Sequence, residues 1–122
     1  MHESTRALGA QGEACAVAHL ERRGLRILAR NVRSGGVEID VIAARGALVV
    51  FVEVKTRRSR RAGLPEEAVD ARKQARLVAG AAAWLREHPG LAARIRFDVI
   101  SCEAEENGFR VRHLEGAFDA NA

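Results

Sequence analysis

Residues 36–57, GVEIDVIAARGALVVFVEVKTR, constrain the fold of this chain more than any other stretch. Two β-branched apolar runs, residues 37–43 and 48–56, flank a short break containing Gly46, which is the pattern of a β-hairpin. With Gly46 and Ala47 as the two turn residues, in the turn type that takes Gly first, Arg45 faces Leu48, Ile42 faces Phe51, Asp40 faces Glu53 and Glu38 faces Lys55. Side chains alternate along a strand, so these residues share one side of the ribbon. Ile39, Val41, Ala43, Val50, Val52 and Val54 then form a wholly apolar opposite side. A slip of one residue would scatter both sets.

The charged side needs an explanation, because acids and lysine are depleted in strands and are seldom buried without partners. Two carboxylates facing each other across a strand pair are about 5 Å apart at Cβ. They repel unless one takes a proton or a cation joins them. A hard divalent ion does this, and Mg²⁺ takes one or two carboxylates together with waters and substrate phosphates. Lys55, one step along the same face, is placed to hold a water or to offset charge on a phosphate. The alternative is a structural ion-pair cluster of Asp40, Lys55, Glu53 and Glu38. Convergence of two acids and a lysine on one face favours a functional site, where perturbed charges concentrate.

Around the hairpin, the pattern predicts a helix from about Ser4 to Arg23 with Gly24 as its stop, a strand at LRILARNVR, and a helix from Pro65 to about Glu87. A strand at IRFDVISC follows, then a strand at FRVRHL after the turn signal ENG, and an irregular tail over about 115–122. Helix, three strands, helix, two strands is an α/β layer arrangement with helices covering a mixed sheet. At 122 residues, with no repeat or linker, the chain reads as one domain.

Both helices carry a charged residue on an apolar stripe. Glu13 is in line with Val17 and Leu20, and Lys73 lies between Val69 and Leu77. Each side chain either joins the acid cluster or snorkels to water. Gly9 and Gly12 either permit close approach of the first helix or mark its late start, while Gly80 and its alanine neighbours imply tight packing of the second. Arg57, Arg58, Arg60 and Arg61 follow the site strand directly and suit phosphates flanking a scissile bond, with a solvated basic loop as the alternative. Asp98 shares a face with Arg96, which predicts a structural ion pair. His2, His19, His88 and His113 have no metal-ligand spacing and receive no role.

The net charge of +4 suits a polyanion without requiring one, and 4% aromatic content argues against binding single strands by base stacking. Cys15 and Cys102 form neither a metal motif nor a disulfide framework, so a reduced chain is expected. With neither a signal-peptide pattern nor a long apolar run, the expected location is the cytoplasm.

A helix Glu, a strand Asp, a Glu-x-Lys on the next strand and a helix with a basic residue together resemble the PD-(D/E)xK nuclease superfamily. Within it, GAQGEACAVAHLERRGLRIL, RNVRSGGVEIDVIA, LVVFVEVKTR, GLPEEAVDARKQARL and RFDVI resemble the YraN family of small bacterial proteins, from about Ala7 to Ile100. The resemblance implies a restriction-endonuclease-like three-layer fold with a mixed sheet of about five strands. It implies a nuclease-like site at Glu13, Asp40, Glu53 and Lys55, with Glu38 and Lys73 adjacent. Val37, inserted before the Glu-Ile-Asp run, departs from the family pattern and predicts a bulge before Glu38.

Three functions are then open. The first is a Mg²⁺- or Mn²⁺-dependent nuclease on DNA, with branched or otherwise non-standard structures as candidate substrates. Asp40 and Glu53 would be its metal ligands, with Glu13 completing the metal site directly or through a water, Lys55 would position the attacking water, and Arg57, Arg58, Arg60, Arg61 and Lys73 would contact the nucleic acid. The second is a catalytically silent nucleic-acid-binding module working in a complex. The third is a scaffold with a structural charge cluster. The small size of the chain points to a homodimer or a protein partner for specificity.

Overall fold

The computed structural model describes residues 5–58 and 69–120. It contains α1 (Thr5–Arg22), β1 (Arg26–Ser34), β2 (Val37–Arg45), β3 (Leu48–Arg57), α2 (Ala71–Glu87), β4 (Arg94–Glu105) and β5 (Gly108–Phe118). The five strands form one sheet in the order β1-β2-β3-β4-β5. β3 and β4 run parallel, and the other neighbours are antiparallel. The parallel pair requires a crossover, which α2 supplies.

The two helices cover opposite faces of the sheet. α1 inserts Ala16 and Leu20 against Val41, Val50, Val52 and Ile100. α2 inserts Ala81 and Trp84 against Ile42, Val49, Phe51 and Phe97. The layering is therefore α/β/α, the restriction-endonuclease-like arrangement expected from the sequence.

The β2–β3 turn is as expected. Arg45 pairs with Leu48 and Ile42 with Phe51, and Gly46 has φ 59°. The β1–β2 turn places Gly35 and Gly36 at φ 58° and 75°, the two positive angles of a type I′ turn. Ser34 then pairs with Val37 and Arg33 with Glu38, so no bulge precedes Glu38. The irregularity in this pair lies between Ile27 and Ala29.

Two boundaries differ from expectation. α2 starts at Ala71, because Asp70 is extended and its carboxylate caps the Lys73 amide at 2.9 Å. Pro65, the expected first residue, lies outside the described residues. The expected tail is largely strand, since β5 continues to Phe118, which pairs with Phe97 and stacks on its ring. A register shift between Phe97 and Val99 and a left-handed Gly116 (φ 59°) carry the strand past its polar stretch.

Candidate functional site

The site lies where β2 and β3 part. Their pairing runs from Arg45↔Leu48 to Val41↔Val52 and ends there. Pairing of Asp40 with Glu53 and of Glu38 with Lys55 does not occur. Continued alternation would make Ile39 and Val54 the next hydrogen-bonded pair. Instead the Val54 amide donates to Asp40 Oδ2 at 2.8 Å.

The expected sorting of faces breaks at the same point. Ile39 packs with Ile42, Phe51 and Trp84 on the α2 face, whereas Val41 packs on the α1 face. Asp40 turns toward α1 and lines a cleft of about 280 Å³ with Glu13, Asn31, Glu38, Val54 and Thr56. In β1, Asn31 is left-handed (φ 50°) across from this break, a conformation Asn tolerates better than most residues.

α1 reaches this cleft through Gly12. A Cβ there would collide with Thr56 Oγ1 and lie 2.6 Å from Thr56 Cγ2, so only glycine lets the helix lie this close to β3. Gly9 has open space around it, and it lines the cleft. Glu13 follows Gly12 directly and is largely buried, with its Oε1 taking hydrogen bonds from Asn31 Nδ2 (2.9 Å) and Arg30 Nε (3.2 Å). The structure thus brings Glu13 to the Asp40 cleft and away from bulk water.

From the other face comes Lys73, whose Nζ is 2.7 Å from Glu53 Oε2. Lys55 Nζ is 3.3 Å from the same oxygen. Gly80 sets the height of α2. A Cβ there would be 3.0 Å from that of Val37 and 3.3 Å from Ser34 O. Lys73 therefore belongs to the acid cluster, where the sequence left open a lysine snorkelling to water.

Glu53 is 5% exposed, and its carboxylate meets that of Asp40. Burial, then the Glu53 charge, pushes the Asp40 carboxyl up to about 7; the hydrogen bond shared with Glu53 and the charge of Glu13 add to this, against the Val54 amide. Lys73 is held above its usual value: burial works against its charge, and contact with Glu53 outweighs burial. A carboxylate pair that retains a proton near neutral pH is one that a divalent cation can bridge in the proton's place. Asp40 and Glu53 fit that donor set. Among the described residues, no three acidic, histidine or cysteine side chains converge as a ligand set. Glu13 lines the same cleft as Asp40, with its Oε1 engaged by Arg30 and Asn31.

Arg57 and Arg58 follow at the end of β3, while Arg60 and Arg61 lie outside the described residues. Sequence spacing missed two other groupings. Cys15 and Cys102 are both free thiols, and they are neighbours in the fold. Burial, with the nearby Cys15, pushes the Cys102 thiol up to about 12. Asp98 makes the expected bidentate pair with Arg96, at 2.8 and 2.9 Å, but also takes His113 Nε2 at 2.7 Å and the Gly116 amide at 3.0 Å. His113 Nδ1 in turn meets His19 Nε2 at 3.1 Å. The expected Asp98–Arg96 pair was the one part of this buried network that the sequence indicated.

Relatives resemble this chain over nearly its full length. A UPF0102 protein of Anaeromyxobacter dehalogenans is 44% identical over 98% of this chain and 89% of its own. One from Symbiobacterium thermophilum is 46% identical over 95% and 99%, and one from Parafrankia sp. is 48% identical over 91% and 95%. Residues 12–102, which include Glu13, Glu38, Asp40, Glu53, Lys55 and Lys73, match the family described as Uncharacterised protein family UPF0102. The chain therefore belongs to UPF0102, the YraN family.

Proposed function

We propose that this protein is a metal-dependent nuclease that hydrolyses phosphodiester bonds in DNA, with branched or otherwise non-standard structures as candidate substrates. The observation that carries the reading is the contact between the Glu53 carboxylate and that of Asp40, which lines a cleft, with two lysines on Glu53. Asp40 and Glu53 would hold Mg²⁺ or Mn²⁺, which supplies Lewis acidity and a reactive water. Lys55 holds a positive charge and a hydrogen-bond donor beside that position, to orient water and offset charge on phosphate. Glu13, fixed by Arg30 and Asn31, offers an acceptor for a water in the same cleft. Arg57 and Arg58 put positive charge at the end of β3, and Arg60 and Arg61 follow them in the sequence; these arginines would contact the DNA backbone. Among the described residues no helix is long and apolar enough to cross a membrane. A homodimer or protein partner would add recognition surface to so small a chain.

The test is cleavage of end-labelled linear and four-way DNA with Mg²⁺ or Mn²⁺, comparing the native chain with Asp40→Ala and Lys55→Ala. Metal-dependent cutting lost in both variants, with folds intact by circular dichroism, supports the reading. Absent cutting, or cutting that persists in both variants, moves it to the second reading: a nucleic-acid-binding module that does no chemistry on its own. The observation favouring that alternative is the double lysine contact on Glu53, which balances much of the acidic charge without a metal.

A further inference from the structure

Glu38 borders two clefts of opposite character. On the α1 side it lines the acidic cleft with Glu13 and Asp40. On the α2 side it lines a second cleft, of about 150 Å³, with Arg33, Val37, Lys73, Arg76 and Leu77. Three cations stand there against one acid, over an apolar floor. Arg33 projects from the β1–β2 hairpin, and its Nη1 donates to Gly36 O at 3.1 Å. That bond orients a planar group of five donors, the geometry suited to gripping a phosphate through two oxygens. Arg76 is exposed one helical turn after Lys73, and Lys73 itself touches Glu53. The basic cleft is thus continuous with the carboxylate pair through Lys73 and separated from the acidic cleft by Glu38.

We propose that the cleft between the β1–β2 hairpin and α2 is a phosphate-binding subsite, in which Arg33 and Arg76 hold the DNA backbone beside the bond presented to Asp40 and Glu53. The inference rests on the DNA reading above but concerns binding alone. It assigns the phosphate grip to the α2 side of the sheet in addition to the arginines that follow β3.

The experiment measures anisotropy of a fluorescein-labelled DNA duplex in EDTA across a salt series, with Asp40→Ala as the parent protein so that no cleavage intervenes. Two double variants lose the same charge: Arg33→Ala/Arg76→Ala in the cleft, and Arg86→Ala/Arg94→Ala at the far end of α2 and the sheet. The cleft pair should weaken binding about tenfold and flatten the log–log salt slope by about 1 to 2, since each phosphate contact contributes about 0.9. The control pair should cost less than about threefold, from net charge alone. Equal losses from both pairs would overturn the subsite while leaving the DNA reading in place. A parent protein that binds no DNA would overturn both.

Discussion

The Val54 amide donates to the Asp40 carboxylate at 2.8 Å, a side-chain bond at the point where the β2–β3 ladder stops. The bond does two things. It satisfies a strand amide that the parting strands would leave without a ladder partner, and it fixes the Asp40 carboxylate against that of Glu53. Opening the ladder and assembling the acid pair are one structural event, so the acidic cluster lies in a break of the sheet and not on its regular face.

That arrangement costs stability, and the cost depends on pH. Folding raises the Asp40 carboxyl from 3.8 to about 7, so the folded chain binds more protons than the unfolded chain between those values. Stability contributed through this group is therefore full below about pH 4 and is lost as pH rises toward 7. Asp40→Asn keeps an oxygen for the Val54 amide and removes the repulsion. It should raise unfolding free energy by roughly 1–3 kcal/mol at pH 8 and by little at pH 4, read by urea denaturation at both values. An equal gain at both would mean that the carboxylate is not strained by its charge.

The Asp98 network works in the opposite sense. Burial, then the charges of His113, Arg23 and Arg22, lowers the His19 imidazole below 6.5. Its protonation favours the unfolded chain, and stability is lost as pH falls through 6.5. Burial raises Asp98, but His113, Arg96 and the Gly116 amide outweigh it and hold the carboxyl below 3.8. That contribution is lost only at lower pH, as Asp98 takes its proton. In an Asp40→Asn background, where the opposing trend is absent, stability should decline from pH 7 to 5, and His19→Gln should flatten the decline. The His19 share should be under about 1 kcal/mol, since the ring is well solvated. His113→Ala, which leaves a buried carboxylate short of a partner, should cost roughly 2–4 kcal/mol at pH 7.

Much of the fold was legible because it follows from period and turn chemistry. Residues 37–56 alternate cleanly, and Gly46 fixes a two-residue turn, so the register near the turn followed directly. The reading failed at Asp40 because alternation assumes an unbroken ladder, and no residue type announces that strands will part. Ile39 was therefore assigned to the wrong face. The start of α2 was misplaced because Pro65 is a good first residue, yet Asp70, extended and capping Lys73, sets the boundary. Glu13 and Lys73 showed in the sequence only as charges on apolar stripes. Their destinations depend on how close the helices lie, which Gly12 and Gly80 decide in three dimensions. The Asp98–His113–His19 chain joins three elements at long sequence separation and left almost no local trace.

Gly12 gives a direct test of that close approach. In Gly12→Ala the new Cβ must displace Thr56 or push α1 away from β3, an overpacking cost of about 1–3 kcal/mol. Thr56→Ala introduced alongside should recover part of the loss, because two of the three crowded atoms disappear. A double variant no more stable than Gly12→Ala alone would show that the helix has shifted instead. The same shift would move Glu13 away from Asp40.

The carboxylate pair makes a prediction about cations that does not depend on turnover. If Asp40 and Glu53 accept a divalent ion, the ion binds the folded chain and not the unfolded one, and stability rises by RT ln(1 + [L]/Kd). At ten times Kd this is about 1.4 kcal/mol, or roughly 3–6 °C in Tm for a domain of this size. Mn²⁺ should raise Tm for the native chain and fail to do so in Asp40→Ala. Lys73→Met removes the 2.7 Å partner of Glu53, and with it a cation that competes for the same oxygen. This variant should be less stable without metal and should show a larger Mn²⁺ shift than the native chain, because the ion then substitutes for the lysine. A native chain indifferent to Mn²⁺ would identify the cluster as a structural set of ion pairs. A native shift left unchanged by Lys73→Met would place the ion on Asp40 alone, away from Glu53.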